Sequence, residues 1–284
     1  MYREKTIIES SVDDLAKKGI EYIEQEGRNV DTHNGRALQA DNVTYVLNDC
    51  RNRVLTLRYE KSLRYFAREL LAYFYGSLNV DEGKYGLSNA SKYWKTLVDS
   101  NNQINSNYGY YVFHQLTSEN KTQLQWIREQ FKKNEDTRKA LININGIQHK
   151  TSTRDFPCTI GMVFRKEGNV LNCDVQSRST DIATGLPYDM GFFSLVNELL
   201  AGLISNDLSK EIIPGYVAMH SCYTQIYDNK KDLVEAMKES EPKPMKQQMP
   251  DIDNPEDFLN DIYNLGKNSP KTKTMKWSIR NAKL

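Results

Sequence analysis

Residues 192–204 constrain this chain most. They contain two phenylalanines, four leucines, a valine and an isoleucine, and Asn197 and Glu198 are the main polar breaks. A helix that is apolar on every side belongs in a core rather than on a surface, so this segment is read as a mostly buried helix. It falls short of the roughly 20 apolar residues that a bilayer span needs, and no membrane association is expected.

The rest of the composition is that of a folded protein. The chain has 284 residues, 39% hydrophobic and 10% aromatic. At about 150 residues per domain this allows one domain or two. Lys and Arg number 38 against 37 Asp and Glu. Without a basic excess, a general nucleic-acid binder is not expected. The first ten residues are charged and contain no apolar signal core, which points to a cytoplasmic protein. Cys50, Cys158, Cys173 and Cys222 form no C-x-x-C pair, and four scattered histidines add no metal spacing, so no metal is expected.

Helical spacing predicts helices over residues 11–25 (capped by Ser11), 63–75, 90–98 and 122–133. Alternation predicts strands over 43–47, 140–144, 159–164, 170–177 and 215–227, with a turn at Glu167–Gly168–Asn169. Residues 29–35 and 101–109 read as loops. Five of the eight prolines (Pro242, Pro244, Pro250, Pro255 and Pro270) fall in the last 45 residues. The stretch 239–257 therefore reads as a surface linker or wrapping tail rather than core. The expected organisation is a catalytic domain over 1–238 and a Pro-rich extension over 239–284. Helices and strands mix without a βαβ rhythm, which predicts an α+β fold with a mixed sheet covered by helices.

Three places could carry chemistry. The first is Arg154–Asp155–Phe156–Pro157–Cys158–Thr159, where a cysteine opens a strand. Nearby arginines would lower its pKa and make it a nucleophile; the competing reading is a core cysteine. The second is Ser177–Arg178–Ser179–Thr180–Asp181, followed by Thr184–Gly185–Leu186–Pro187–Tyr188–Asp189. An arginine beside a serine hydroxyl suits phosphate, while a surface ion pair with Asp189 as helix cap is the plainer alternative. The third is Thr137–Arg138–Lys139, two adjacent cations before a strand, otherwise a solvated pair.

These places occur in one order with others: Glu69–Leu70–Leu71–Ala72–Tyr73–Phe74 and Ile104–Asn105–Ser106–Asn107–Tyr108–Gly109. Together they resemble the thymidylate synthase superfamily, and within it most closely the cytidylate and deoxycytidylate hydroxymethylases, over about residues 63–227. Pro157–Cys158 matches the nucleophile segment, and Thr159 stands where the viral hydroxymethylases have Thr and thymidylate synthases usually have His. Arg178–Ser179–Thr180–Asp181 matches the phosphate and folate motif. Gly185–Leu186–Pro187–Tyr188–Asp189 matches the base-binding segment.

The resemblance implies a sheet-to-sheet homodimer that uses 5,10-methylenetetrahydrofolate to modify carbon 5 of a small-molecule nucleotide. Cys158 would attack carbon 6, Glu69 would be the general acid/base, and Tyr108 would orient the proton chain. Asp189 would select cytosine, because a carboxylate accepts from the 4-amino group and stabilises a protonated N3, whereas thymidylate synthases place Asn there for uracil. Arg178 and Ser179 would hold phosphate, joined by Arg138 and Lys139 from the second chain. Gln225 and Tyr227 would contact the sugar. Asp181, Gly185 and Trp94 would contact folate.

The sequence departs from the family at several places. Gln225 replaces a His, and His33 stands where an Arg usually touches phosphate, with Arg36 nearby to compensate. Lys139 resembles the ribonucleotide enzymes and Ser179 the deoxynucleotide ones. The tail 269–284 does not match the family's closing C-terminus. Hydroxymethylation of CMP or dCMP is the expected activity. C5 methylation (a thymidylate synthase or a dCMP methylase) and a noncatalytic nucleotide-binding relative are the alternatives.

Overall fold

Alternating apolar residues build a single seven-stranded sheet in this computed structural model, which describes residues 4–243 and 249–284. Pro244 lies outside them. The strands are β1 (Lys5–Glu9), β2 (Arg28–Thr32), β3 (Gly35–Leu47), β4 (Leu141–Asn143), β5 (Thr159–Glu167), β6 (Val170–Asp181) and β7 (Ile213–Tyr227). Their order is β1-β3-β7-β6-β5-β4, with β2 paired to β3. The pairs β1/β3 and β6/β7 are parallel and the others antiparallel, so the sheet is mixed, as the sequence suggests. Gly168 makes the β5–β6 turn at φ +59°, a backbone region open to glycine.

Helices α1 (Val12–Glu26), α2 (Tyr59–Tyr75), α3 (Gln123–Lys133), α4 (Leu186–Leu208), α5 (Lys231–Glu239), α6 (Pro255–Tyr263) and α7 (Lys273–Ala282) complete the chain. The apolar segment becomes α4, which packs on β6, β7, α1 and α3 and is buried along most of its length. Its polar breaks are partly satisfied inside, with Asn197 Oδ1 left without a hydrogen-bond partner. Asn197 Nδ2 donates to the Leu171 carbonyl at 3.0 Å. Glu198 pairs with Arg53, which is fully buried. A buried charge is tolerated only when paired in this way. Among the described residues, no helix is long and apolar enough to cross a membrane.

Three local expectations need correction. Residues 29–35 are not simply a loop: β2 pairs antiparallel with β3 from Arg28↔Gln39 to Thr32↔Gly35. Turn-forming side chains there are overruled by a long neighbouring strand. Residues 90–98 form no α-helix but a 3₁₀ turn over Lys92–Thr96, whose N-cap Ser91 accepts from Tyr93 N–H. Asp189 does not precede its helix; it lies in the first turn of α4, behind Gly185. Residues 249–284, read as an extension, place Met249, Phe258, Ile262, Met275 and Trp277 in the same core as the sheet helices. Helix α7 lies along α2, where Arg68 Nε donates to the Ala282 carbonyl at 2.7 Å.

The helices cover one face of the sheet. On the other, Ile160, Val163 and Tyr223 are 46%, 39% and 47% exposed. Thr44, His220 and Asp174 form a polar row on that face, with His220 Nδ1 3.1 Å from Thr44 Oγ1 and Nε2 3.2 Å from Asp174.

Candidate active site

Cys158 sits at the mouth of β5, where the pairing Thr159↔Ser177 brings β6 alongside it. Its Sγ is 3.6 Å from Ser179 Oγ. Arg178 braces this corner: Nη2 donates to Phe156 O at 2.7 Å, Nε to Pro157 O at 3.3 Å, and Nη1 to Ser179 Oγ at 3.2 Å. Its guanidinium also lies over the Phe156 ring, 5.3 Å from the centroid. In the free site, then, much of the Arg178 fork holds the nucleophile loop.

The expected lowering of the Cys158 pKa is not found. Burial pushes the thiol up, and Arg178 and Ser179 offset that only in part. The sequence reading counted nearby cations and could not count lost water. Arg154, one of those cations, is exposed. Cys50 and Cys173 are buried, and burial raises both thiols; Cys222 is exposed.

The nucleophile loop is clamped to the segment that carries Tyr108. Asp155, buried, accepts from Asn105 N–H at 2.6 Å, Ser106 N–H at 2.7 Å and Ser106 Oγ–H at 2.5 Å. Burial raises its pKa, and these bonds work against the rise. Tyr111 Oη donates to Asn105 O at 2.7 Å and meets His149 Nε2 at 2.9 Å, so the segment is held from both sides. Tyr108 is thereby fixed with its hydroxyl 3.5 Å from Thr159 N. Its ring stacks on Tyr73 at 5.8 Å and Phe193 at 6.1 Å.

Glu69 reaches the site from α2 and is only 4% exposed. Tyr65, one turn earlier, donates to its Oε1 at 2.7 Å. Burial pushes Glu69 up to about 7, against the lowering bonds from Tyr65 and Tyr73. Asp189 enters from the first turn of α4. Burial, then the nearby charge of Glu69, holds its pKa well above the usual carboxylate range. Asp189 is also felt electrostatically by Tyr108 and by Cys158. The site therefore joins a thiol and two carboxyls whose pKa values burial raises; the carboxyls suit proton transfer near neutral pH, and the thiol must be deprotonated before it can attack.

The remaining expected residues divide into two groups. Gln225 and Tyr227, at the end of β7, are drawn into the site as a chain: Tyr227 Oη donates to Gln225 Oε1, and Gln225 Nε2 to Gln39 Oε1, each at 2.8 Å. Asp181 ends β6, and its Oδ1 accepts from Ala183 N–H at 2.8 Å and Thr184 N–H at 3.0 Å. Gly185 starts α4 so close to the preceding turn that a Cβ would stand 3.0 Å from the Asp181 carbonyl. Trp94, partly buried, packs on the core.

Arg36, Arg138 and Lys139 stay outside. Arg36 is exposed on the β2–β3 hairpin. Arg138 and Lys139 are exposed before β4, beside the end of β5 opposite to Cys158. Within one chain they do not meet the thiol.

Tyr65, Tyr73, Gln39 and the clamping role of Asp155 were missed from the sequence. Tyr65 carried a usable signal, the i,i+4 spacing to Glu69. Asp155 carried none, because its partners lie 49 and 50 residues away.

A family model described as thymidylate synthase matches residues 9–266. A thymidylate synthase from Vesicomyosocius okutanii subsp. Calyptogena okutanii (strain HA) is 25% identical over 135 residues. That alignment takes in 47% of this chain and 50% of the relative, so the chain spans about half the length of the curated relative it matches.

Proposed function

The chain belongs to the thymidylate synthase family, and from that premise we propose that it adds a hydroxymethyl group to carbon 5 of a cytosine nucleotide, CMP or dCMP. The one-carbon donor is 5,10-methylenetetrahydrofolate, which supplies a methylene unit when bound. The observation that carries the base assignment is a carboxyl, Asp189, set half-buried in the first turn of α4, where its charge is felt by both Cys158 and Tyr108.

A neutral carboxyl suits cytosine at rest: its O–H donates to N3 and its carbonyl accepts from the 4-amino group. Cys158 attacks carbon 6 as a thiolate, and the ring gains electron density. The Asp189 proton then passes to N3, leaving a carboxylate facing two donors. The resting carboxyl could also pair with uracil, its carbonyl accepting from N3–H and its O–H donating to O4. The preference for cytosine therefore rests on the charged form: once the proton is on N3 the carboxylate faces two donors on cytosine, whereas on uracil it would meet O4, acceptor against acceptor. Before attack the thiol must lose its proton, and Arg178 and Ser179 are the neighbours that favour the charged form.

Glu69, at about 7, exchanges protons in both directions near neutral pH. It serves removal of the carbon 5 proton once carbon 5 has taken the one-carbon unit. Loss of tetrahydrofolate leaves an exocyclic methylene on the nucleotide. Water adds to that carbon, the electron pair returns to the ring, and the bond from carbon 6 to Cys158 breaks. Tyr108, stacked and clamped, orients this end of the site.

Trp94, Gly185 and Asp181 fit a flat pterin: an indole face, a close backbone turn and a carboxylate. Gln225 and Tyr227 reach the sugar. Arg178 and Ser179 take the phosphate, and Arg138 and Lys139 come from a second copy. The exposed apolar residues Ile160, Val163 and Tyr223 on the uncovered sheet face support a homodimer closed through that face.

The test is tritium release from [5-³H]CMP and [5-³H]dCMP with and without methylenetetrahydrofolate, with the product weighed. Release with gain of CH₂O and tetrahydrofolate as coproduct is expected, and the faster nucleotide assigns the sugar. Dihydrofolate as coproduct would replace hydroxymethylation by methylation. Release from dUMP alone would overturn the role of Asp189, and no release from any pyrimidine would overturn the enzyme.

A further inference from the structure

We infer that Tyr65 is a positioning residue for Glu69: its single hydroxyl hydrogen occupies one carboxyl oxygen and leaves the other for the chemistry. The inference rests on the one-carbon-transfer reading for its consequence, but the arrangement is visible without it.

Tyr65 and Glu69 are one helical turn apart on α2, so they lie on the same face. The hydroxyl stands 2.7 Å from Glu69 Oε1. A phenol has one hydrogen, and here it is given to Glu69 Oε1, which can only accept when Glu69 is ionised. When Glu69 is neutral, its proton rests on Oε2, because Oε1 is already facing a hydrogen.

The geometry is held firmly. The Tyr65 ring packs against Tyr188 with centroids 4.6 Å apart. The segment carrying Trp94 is tied to the same helix by Arg68, whose Nη1 donates to the Asn89 carbonyl at 3.0 Å. The hydroxyl is thus aimed at Glu69 by a ring that α4 holds through Tyr188.

The groups facing Glu69 are Tyr65 and Tyr73 from its own helix, with Tyr188 and Asp189 from α4. The Tyr65 bond favours the charged form of Glu69, so its loss moves the titration of Glu69 to higher pH. A residue that only packs would leave that titration where it is.

Tyr65→Phe removes the one oxygen and keeps the ring. Two readings on full-length protein test it. In the first, the Glu69 side-chain carbonyl is followed by ¹³C NMR against pH, with Glu69→Gln identifying the signal. The expected result is a titration shifted upward in Tyr65→Phe, and an unshifted one overturns the inference. In the second, tritium release from the cytosine nucleotide is measured across pH. The expected result is kcat lower by about ten-fold, part of the roughly 10²–10⁴-fold that general acid–base catalysis supplies, with KM kept and the Glu69 limb displaced upward. A slower enzyme with the limb in place overturns it as well. Failure of the functional reading looks different: wild-type protein releases no tritium, yet its Glu69 signal still moves on Tyr65→Phe.

Discussion

Two regions proposed to serve one reaction are built in opposite ways. Cys158, Glu69, Asp189 and Tyr108 are brought together beside β5, from α2, α4 and the 104–109 segment of one chain. Arg36, Arg138 and Lys139, the cations proposed to meet phosphate, are exposed and stand apart, while Arg178 bonds its own loop. The difference follows from what each region must do. Proton transfer and covalent attack need pKa values moved by loss of water, which requires burial inside a folded unit. A phosphate needs charge at a rim, and cations cannot be stored in a core without partners. A second copy can supply such charge at assembly, when the nucleotide is there to pair with it.

The largest expected effect falls in the buried region. Cys158→Ala removes the proposed nucleophile, so turnover should drop by about 10⁴-fold or more, as for other nucleophile deletions. The thiol is half-buried and small, so folding should be preserved, and circular dichroism with a melting curve checks that. Tritium release within ten-fold of wild type would move the nucleophile elsewhere and dissolve the contrast between the two regions.

The next effect tests the exposed region. Arg138→Ala with Lys139→Ala should raise KM for the nucleotide by roughly 10–100-fold while kcat changes little, the pattern of lost uniform binding. If these cations serve the neighbouring site, mixing that variant with Cys158→Ala should restore activity. In a random mixture about a quarter of all sites would combine an intact thiol with intact cations. No recovery on mixing would return the pair to the plain surface role that its exposure allows.

The same contrast governs what could be read from the sequence. The segments of Cys158 and Asp189 stood out by residue type, with core packing and helix capping as the plainer readings, while Glu69 and Tyr108 were legible only through the family resemblance. The mixed sheet was legible from alternation without a βαβ rhythm, and α4 from an apolar run that chiefly Asn197 and Glu198 interrupt. The errors came where distant contacts decide. Residues 29–35 carry turn-forming side chains, yet β3 supplies a pairing edge. Residues 90–98 show helical spacing, yet Ser91 and the tie from Arg68 to Asn89 hold them in a tighter turn. The Cys158 thiol was judged by its neighbours in sequence, when burial beneath Arg178 and Ser179 determines its pKa. The clamping role of Asp155 was not legible because Asn105 and Ser106 approach it only in the folded chain.

The smallest effect is the most specific to burial. Glu69 ionises near 4.5 in an unfolded chain and is held at about 7 in the fold. The folded state therefore keeps its proton more tightly than the unfolded one. Relative to a group with no shift, Glu69 costs nothing below pH 4.5, costs progressively more from pH 4.5 to 7, and reaches its full cost above that. Glu69→Gln keeps an acceptor for Tyr65 but cannot ionise. It should match wild-type stability in acid and exceed it by roughly 3 kcal/mol at pH 8, at 1.36 kcal/mol per pKa unit. Urea unfolding at pH 4.5, 6 and 8 measures the difference. An equal gap at all three would mean that Glu69 is not held neutral by burial, and the buried region would lose the property that sets it apart from the rim.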